Sequence, residues 1–594
     1  MIVKLSDYVA DFLVKSGIQH VFTVTGGGAM HLNDSLGHHL GLKCVYNHHE
    51  QGSAIAAEGY TRLSGKLCAV CVTSGPGGTN ALTGVLGGWL DSIPMFIISG
   101  QVKRETTTWS TDVPLRQLGD QEYQIVKSAA PMTKYAVMVT DPDEIAYHLE
   151  KAFYLALDGR MGPVWLDIPL DVQAAKIETE NLKHYKPENP VSYDISDDTL
   201  EAAYERLTEA KRPVIIAGTG IRLSGGYNEF LRAVDILGIP VVTAWNAHDL
   251  LWDEHPLFCG RPGTVGTRGG NFIMENADLI LSVGCRLNIR QISYNYKNIS
   301  KNAYKIIVDI DKNELDKPTL SPDMKVCCDA KKFLARLAER KDEKLNVPEK
   351  WVKWCRDINL RYPAVTKDYP RTGTPMNPYV FMDGLFRSLE PEDKIVCGNG
   401  SACVIGFQAA VIKPGQRLFT NSGCASMGYG LPAALGAAVA ENGRRVICLD
   451  GDGSLMMNLQ ELMTISYNRL NLKLFVLNNN GYHSIRQTQT NLFGHHPMCG
   501  VSADNGVGFP EFSKIAEAFN FRYYKIDNAS DISDTVKEIL ESDGPVLCEA
   551  VLDDKQFFAP KLSSRVNPDG TIVSPPIDDM YPFLEREEYE ENKL

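Results

Sequence analysis

The sequence has 594 residues, and its 60 basic and 73 acidic residues give a formal net charge of −13. This length predicts several domains, and a hydrophobic fraction of 44% with 22% charged residues is typical of a globular protein. The acidic balance argues against a nucleic-acid partner, and no apolar run approaches the ~20 residues that span a bilayer, which argues against a membrane protein.

The first predicted domain, 1–185, alternates helices and strands. Its opening stretch, Ser6–Ser16, interleaves charged and apolar residues at helical spacing, which predicts an amphipathic helix rather than a signal peptide. Four strands are predicted at His20–Val24, Lys43–Tyr46, Leu67–Thr73 and Met95–Ser99. Strands that alternate with helices indicate a parallel, doubly wound α/β sheet.

The 14 cysteines are scattered, and several lie inside apolar runs. This usage is typical of reduced core thiols in a cytoplasmic protein. Cys68 and Cys71 have CxxC spacing, but residues i and i+3 of a strand point to opposite faces, which argues against a metal or redox site.

Glu50 is the first candidate for proton chemistry. It precedes a predicted helix, Ser53–Ser64, and the residues at the start of that helix are small and apolar. A carboxylate in such a poorly solvated place would have a raised pKa and could hold or donate a proton near neutrality. The alternative is an acid that only complements the helix dipole. The glycine-rich turns at Gly26 and Ser74 lack GxGxxG spacing and are also consistent with ordinary tight turns.

The second predicted domain, 191–340, follows a linker at about 184–190 and is again Rossmann-like. Its predicted strands are Pro213–Ala217, Leu279–Val283 and Ile306–Ile310. Gly218 and Gly220 follow the first strand, which alone is weak evidence for a nucleotide. Arg290 follows the second strand, and its guanidinium could bind a carboxylate through paired hydrogen bonds or be an ordinary surface group.

A charged linker, 341–374, with a predicted helix at Glu349–Leu360, leads to the third predicted domain, 375–555. A helix at Tyr379–Ser388 and a strand at Lys394–Cys397 run into the turn Gly398-Asn399-Gly400-Ser401. This turn is a candidate diphosphate site.

A strand, helix and strand unit follows in the third domain, predicted at Val446–Leu449, Leu455–Asn468 and Leu472–Leu477. Because adjacent parallel strands end at the same crevice, Asp452 and Asn479 should converge. A carboxylate, an amide oxygen and a backbone carbonyl suit Mg²⁺. Gly451 and Gly453 would let an anion approach closely, and a helix beginning at Ser454 offers free N–H groups. Ordinary turns rich in Gly and Asn are the alternative.

The order of GDGS, apolar helix, apolar strand and NN resembles the signature of thiamine diphosphate (ThDP) enzymes. The stretches YNHHEQGSAIAAEGYTR and VTSGPGGTNAL resemble the pyrimidine-binding domain of the acetohydroxyacid (acetolactate) synthase group. The resemblance implies that Asp452, Asn479 and the carbonyl of Gly481 bind Mg²⁺. It also implies that Glu50 hydrogen-bonds the aminopyrimidine ring and promotes the tautomer that deprotonates the thiazolium carbon.

Further cofactor contacts are implied by the same resemblance. They are Gly26, Ser74, Asn399, Ser401, Met427, Gly451, Gly453 and Ser454, with Met427 supporting the bent form of ThDP. His49 matches a family histidine, and Gln121 matches the glutamine of the family's FQE motif, close to the substrate. The family's phenylalanine is Asp120 here.

The resemblance also implies FAD. The segment from Gly266 to Arg290 matches the flavin-binding segment of acetohydroxyacid synthases, although the family's RFDDR is RLNIR here. The predicted FAD contacts are Arg160, Gly218, Gly220, Gly266, Arg286 and Asp309. A vestigial site without flavin is the alternative.

The implied function is a carboligase that decarboxylates a 2-keto acid, most simply pyruvate, and passes the two-carbon unit to a carbonyl acceptor. Arg290 would orient the second 2-keto acid. Thr488 replaces a tryptophan that favours 2-ketobutyrate, which opens other acceptors: a keto sugar, a diketone or another ketone. A C–C bond hydrolase or lyase acting on a diketone and a non-catalytic homologue are the alternatives.

In this family ThDP spans two subunits, so a homodimer or homotetramer is expected. The C-terminal tail, 556–594, is rich in proline and then acidic. It is predicted to be a strap over the active site or a mobile terminus.

Overall fold

Three parallel sheets, each flanked by helices, follow one another in a computed structural model of the chain, which describes residues 1–340, 345–494, 499–566 and 569–594. The predicted fold class of three doubly wound α/β domains is confirmed. Residues 341–344 of the predicted linker and 567–568 of the predicted tail lie outside the described residues.

The middle strands of the first sheet are buried on both faces, as is usual for parallel sheets covered by helices. The strands of this part of the chain are β1 Ile2–Lys4, β2 His20–Thr23, β3 Lys43–Tyr46, β4 Ala69–Val72, β5 Phe96–Gln101, β6 Tyr135–Met138, β7 Val164–Pro169 and β8 Lys176–Glu178. The helices are α1 Leu5–Lys15, α2 Met30–His38, α3 Glu50–Ser64, α4 Pro76–Asp91, α5 Ile125–Ala129, α6 Ile145–Leu157 and α7 Leu170–Ala174. The sheet order is β3-β2-β4-β5-β7-β6, while β1 and β8 form an antiparallel pair.

The central sheet has the order β10-β9-β11-β12-β13. Its strands are β9 Pro213–Ala217, β10 Val241–Thr243, β11 Leu279–Val283, β12 Tyr304–Asp309 and β13 Met324–Cys327. The helices are α8 Asp197–Glu209, α9 Gly220–Leu223, α10 Tyr227–Leu237, α11 Arg268–Asn276, α12 Ile289–Ile292, α13 Lys312–Asp316, α14 Ala330–Ala338 and α15 Glu349–Arg361. The chain order of these strands reverses between β9 and β11, and such a switch point is where open α/β sheets bind ligands.

The third sheet repeats the strand order of the first, as β15-β14-β16-β17-β19-β18. Its strands are β14 Lys394–Cys397, β15 Arg417–Phe419, β16 Val446–Gly451, β17 Leu472–Asn478, β18 Arg522–Ile526 and β19 Val546–Val551. The helices are α16 Pro378–Ser388, α17 Ser401–Ala409, α18 Gly430–Glu441, α19 Asp452–Leu455, α20 Glu461–Tyr467, α21 His483–Phe493, α22 Phe512–Ala518 and α23 Ile532–Glu541. The switch point of this sheet lies between β14 and β16, so the turns after those strands share one crevice.

The first and third sheets are joined by the packing of α3 on α18. A Cβ added to Gly59 would collide with the carbonyl of Ala433, and one added to Gly436 would collide with that of Ala56. The two helices therefore approach through glycine, and apolar residues of both domains form one continuous core.

The C-terminal tail contains β20 Arg565–Val566, β21 Ile572–Val573 and α24 Arg586–Glu591. It is anchored on α11, where Asn271 Nδ2 donates to the carbonyl of Ile577 at 2.9 Å and Asn276 Nδ2 to that of Asn592 at 2.8 Å. The described part of the tail is thus a docked strap on the central domain.

The two cysteines with CxxC spacing lie in the core of the first domain. Cys68 and Cys71 are buried in apolar clusters on opposite faces of the first sheet, as the strand period predicts. Within the described ranges, no helix combines the length and the apolar character that crossing a membrane requires.

Candidate active site

The turns after β16 and β17 bring Asp452 and Gly481 into direct contact. Asp452 begins α19, and its Oδ1 and Oδ2 accept from the backbone N–H groups of Gly453 at 2.7 Å and Gly481 at 2.9 Å. Asn479 Nδ2 donates to Ser401 Oγ at 3.0 Å, which leaves its amide oxygen for another partner. The sequence therefore placed these residues at one edge of the sheet, and the structure brings them together.

Asp452 is almost fully buried, and burial raises its pKa to about 6. A buried carboxylate of this kind gains from a nearby cation. Among the described residues, no cluster of three His, Cys, Asp or Glu side chains is placed to hold a metal. A cation here would therefore use mixed oxygens of the protein and complete its coordination with phosphate and water, which is the usual pattern for Mg²⁺.

Gly481 could not be replaced by a larger residue without moving the turn. Its φ is +123°, and an added Cβ would collide with the carbonyl of Val501. Arg486, which is buried, donates to the carbonyls of Asn479 at 3.1 Å and Asn480 at 2.6 Å. Arg486 was not singled out from the sequence, because its contacts depend on the fold of the turn.

The turn after β14 faces this cluster. Asn399 Nδ2 donates to Asn421 Oδ1 at 2.8 Å and to the carbonyl of Ser426 at 2.7 Å. Ser401 begins the nine-residue helix α17, whose first N–H groups are free to bind an anion. Gly453 packs closely against Tyr482, because a Cβ added to Gly453 would collide with the tyrosine ring. A Cβ added to Gly451 would meet nothing within 4 Å.

Met427 projects from a fixed turn instead of filling the core. It is 39% exposed. The following residue, Gly428, is held by Ser454 Oγ, which accepts from its N–H at 2.9 Å, and by Asn458 Nδ2, which donates to its carbonyl at 2.7 Å. A rigid turn with an exposed thioether suits a residue that contacts a ligand.

Glu50 is the first residue of α3, so the helix begins three residues earlier than predicted. Asn80 Nδ2 donates to Glu50 Oε2 at 3.0 Å. His49 is the N-cap, and its Nδ1 accepts from the N–H of Gln51 at 3.2 Å. The reason for the early start is this cap, which local apolar spacing does not reveal.

Glu461 is a second acid at this turn that sequence reasoning missed. It is fully buried, and it accepts from Asn47 Nδ2 at 2.8 Å and from the N–H of His48 at 3.1 Å. Glu461 lies in α20, so these two hydrogen bonds connect the turn before Glu50 to α20. The contact spans more than 400 residues of sequence and has no local signal.

Gly26, Ser74 and Gln121 lie at the carboxyl edge of the first sheet. A Cβ on Gly26 would meet Thr73, and one on Gly28 would meet Ser74 Oγ at 2.5 Å, so the turns after β2 and β4 touch. Gln121 has a φ of +62°, and its carbonyl leaves no room for a Cβ on Gly75. The Gln121 segment is therefore packed on the Ser74 turn.

Arg290 and Thr488 are both exposed. The guanidinium of Arg290 lies 5.2 Å from the ring centroid of Trp245, and Thr488 Oγ1 donates to the carbonyl of Ser484 at 2.9 Å. No hydrogen bond within the described residues connects Arg290 with Thr488.

Five of the six residues predicted to bind FAD line one cavity of about 140 Å³ at the switch point of the central sheet. They are Arg160, Gly218, Gly220, Arg286 and Asp309. Gly266 is not among them; a Cβ there would collide with the carbonyl of Arg261. Arg160 is also engaged, because its guanidinium pairs with Asp311 at 3.0 Å and Glu314 at 2.8 Å.

Comparison with known proteins matches three stretches of the chain to domains of one family. The N-terminal TPP-binding domain of thiamine pyrophosphate enzymes matches residues 3–124, the central domain residues 200–337, and the C-terminal TPP-binding domain residues 398–550.

Similar proteins include the acetolactate synthase large subunit of Lactococcus lactis, 30% identical over 573 residues and 96% of each chain. The large subunit of acetolactate synthase isozyme 1 of Escherichia coli is 30% identical over 563 residues, which cover 94% of this chain and 95% of that protein. The chloroplastic acetolactate synthase of Arabidopsis thaliana is 29% identical over 575 residues, 94% of this chain and 83% of that protein.

The prediction of FAD, and with it of a flavoprotein, is wrong on these findings. All three matching domains are those of thiamine pyrophosphate enzymes. The cavity of about 140 Å³ is also smaller than the ~300–1,000 Å³ of sites that enclose larger organic ligands. The predictions of the family and of an enzyme are confirmed: the chain belongs to the thiamine pyrophosphate enzymes, as a ThDP-dependent enzyme similar to acetolactate synthase large subunits.

Proposed function

We propose that this protein is a Mg²⁺- and ThDP-dependent carboligase. It decarboxylates a 2-keto acid, most simply pyruvate, and transfers the two-carbon unit to a carbonyl acceptor. The cofactor, when bound, supplies the carbanion chemistry, and the protein supplies binding and proton management. The observation that carries the proposal is the convergence of Asp452, Asn479 and Gly481 beside the start of α17.

The third domain holds the charged end of the cofactor. Asp452, the amide oxygen of Asn479 and the carbonyl of Gly481 would hold Mg²⁺, which would supply positive charge for the phosphates of the cofactor. The free N–H groups at Ser401 and the amide of Asn399 favour the negative diphosphate. Arg486 keeps the Asn479 turn in place through the two carbonyls that it binds.

The first domain provides the acid–base group, Glu50. Asn80 binds Oε2 of Glu50 and so orients the carboxylate, whose Oε1 would hold or release a proton beside the pyrimidine ring when the cofactor is bound. The buried Glu461 fixes the turn that carries Glu50. Gln121 lies at the same edge of the sheet and contacts the substrate.

The two halves of each site come from different subunits of a homodimer or homotetramer. Large apolar side chains are exposed on both domains, in the first at Trp109, Val113, Leu115 and Leu118 and in the third at Met427, Met456 and Met457. Such surfaces are typical of an interface between subunits.

The function is tested by incubating the purified protein with ThDP, Mg²⁺ and pyruvate and measuring CO₂ and acetolactate. We expect CO₂ release that depends on both cofactors and is lost in Asp452→Asn. Absence of pyruvate consumption with any carbonyl acceptor would contradict the proposal. Cleavage of a diketone without pyruvate consumption would support the hydrolase alternative, and failure to bind ThDP would support a non-catalytic homologue.

A further inference from the structure

Two cations from different parts of the chain lie next to each other beside the cofactor turn. Arg290 belongs to α12 of the central domain, and Lys561 belongs to the tail. The segment at Thr264 connects them, since its N–H donates to the carbonyl of Arg290 and its own carbonyl accepts from the N–H of Leu562, both at 2.8 Å. The two side chains are thus anchored on neighbouring backbone segments.

Lys561 is held rigidly. Its N–H and carbonyl form a pair of hydrogen bonds with Tyr581, at 2.9 and 2.8 Å. The carbonyl of the preceding Pro560 accepts from Gln408 Nε2 in α17 at 2.6 Å. Lys561 therefore has a fixed backbone position between the central domain and α17.

The charges of the two residues are close enough to interact. Burial lowers the pKa of Lys561, and the positive charge of Arg290 lowers it further. The guanidinium of Arg290 also lies near Cys403 in the first turn of α17, where it opposes the effect of burial on the pKa of that thiol. The pair consequently stands beside the turn that contains Asn399 and Ser401.

Neither cation has an acidic partner among the residues that the structure describes. This is notable in a chain where acids outnumber bases by 73 to 60. A half-buried lysine next to an arginine costs free energy unless an anion joins them. An anion of charge −1 would compensate one of them, whereas a phosphate group, with a charge of about −1.5 to −2, would compensate both.

We propose that Arg290 and Lys561 together bind a phosphate-type dianion carried by the carbonyl acceptor. Arg290 binds two of its oxygens in parallel, and Lys561 contributes a point charge from the tail. The assignment of this ligand to the acceptor rests on the proposed function, because the pair stands beside the cofactor turn. It makes Lys561 a residue that selects the acceptor.

The first test is binding of inorganic phosphate to the protein loaded with ThDP and Mg²⁺, by isothermal titration calorimetry. We expect phosphate to bind more tightly than acetate. Lys561→Met should weaken phosphate binding about tenfold or more, while Lys561→Arg keeps most of it. Lys555→Met, at an exposed lysine of the same segment, is the matched control.

The second test uses pyruvate as donor and compares dihydroxyacetone phosphate with dihydroxyacetone as acceptor. We expect a higher kcat/KM for the phosphate ester, and Lys561→Met should abolish that preference. If pyruvate is not decarboxylated, the proposed function fails, and phosphate binding still decides the present inference.

Three results would overturn the inference. If phosphate does not bind, or binds equally well to Lys561→Met, then Lys561 is not part of an anion-binding site. Equal affinity for acetate and phosphate would indicate a carboxylate. A parallel loss of ThDP affinity in Lys561→Met would assign the lysine to the cofactor.

Discussion

Glu50 and Asp452 are carboxylates oriented by N–H donors and not by cations. Asn80 binds Glu50, and the backbone of Gly453 and Gly481 binds Asp452. Neither acid forms an ion pair within the described part of the chain. A carboxylate that is positioned but not neutralised is available to a proton or a metal ion, which is the arrangement expected of functional acids.

Glu50→Gln should abolish most of the pyruvate decarboxylation. The amide has the same shape but cannot exchange the proton, and loss of an acid–base group typically costs 10²–10⁴-fold in rate, so we expect a decrease of about that size. The measurement is CO₂ release at saturating ThDP, with cofactor affinity measured separately. Glu205→Gln, at an exposed acid of α8, should leave the rate unchanged. A Glu50→Gln rate within threefold or so of the wild type would contradict the role.

The predicted helix Leu455–Asn468 is not continuous, because α19 ends at Leu455 and α20 begins at Glu461. Ser454 in α19 and Asn458 in the break both bind the backbone of Gly428 through their side chains. Apolar periodicity did not reveal it, because the polar contacts that stabilise the break come from a turn elsewhere in the chain. The same kind of interaction fixes the tail, which is bound along α11.

The stability of the folded protein should depend on pH through Glu275 of α11. Burial, and then the charge of Asp578 in the tail, raise the pKa of Glu275 from 4.5 to about 7. The folded protein therefore binds this proton more readily than the unfolded chain. Its contribution to the free energy of unfolding is complete below pH 4.5 and declines as the pH rises to about 7, by at most about 3 kcal/mol.

Glu275→Gln should remove that pH dependence. The thermal midpoint should fall less between pH 5 and pH 8.5 in the variant than in the wild type, with the largest difference at high pH. Glu254→Gln, an exposed acid of the same domain, serves as the control and should follow the wild type. Parallel curves for Glu275→Gln and the wild type would show that Glu275 is not the titrating group.

Asp249 connects the three domains through two arginines. Its carboxylate accepts from Arg417 Nε at 2.7 Å and Arg222 Nε at 3.3 Å. Arg417 in turn donates to the carbonyls of Leu63 and Arg62 in the first domain, at 3.3 and 3.2 Å. Burial opposes the charge of Asp249, but the two arginines outweigh it and lower its pKa.

Asp249→Asn should destabilise the protein strongly, because it leaves Arg417 buried without its anion. Breaking a buried pair of this kind costs about 3–5 kcal/mol, which should lower the thermal midpoint by several degrees. Asp316→Asn removes an exposed pair with Lys325 and should leave the thermal midpoint almost unchanged. Equal effects of the two substitutions would mean that the Asp249 network does not hold the domains together.

If each active site combines two subunits, mixing two inactive variants should restore activity. A mixed dimer of Glu50→Gln and Asp452→Asn chains contains one site in which both acids are intact. We expect each variant alone to be inactive and the co-expressed mixture to recover up to about a quarter of the wild-type rate, as random pairing of identical interfaces implies. A mixture as inactive as its components would place both acids in one chain.

Local sequence patterns were enough to predict the three α/β units and the edge of the third sheet at which Asp452 and Asn479 meet. Apolar runs and turn residues are local signals. Because adjacent parallel strands end at the same crevice, the residues that follow them can occupy few positions other than that crevice. The early start of α3 comes from the local His49 cap, whereas the size of the central cavity and the long-range contacts depend on how the chain folds. The pairs Glu461 with Asn47, Asp249 with Arg417, and Lys561 beside Arg290 each join distant segments, and packing rather than local spacing determines which distant groups become neighbours.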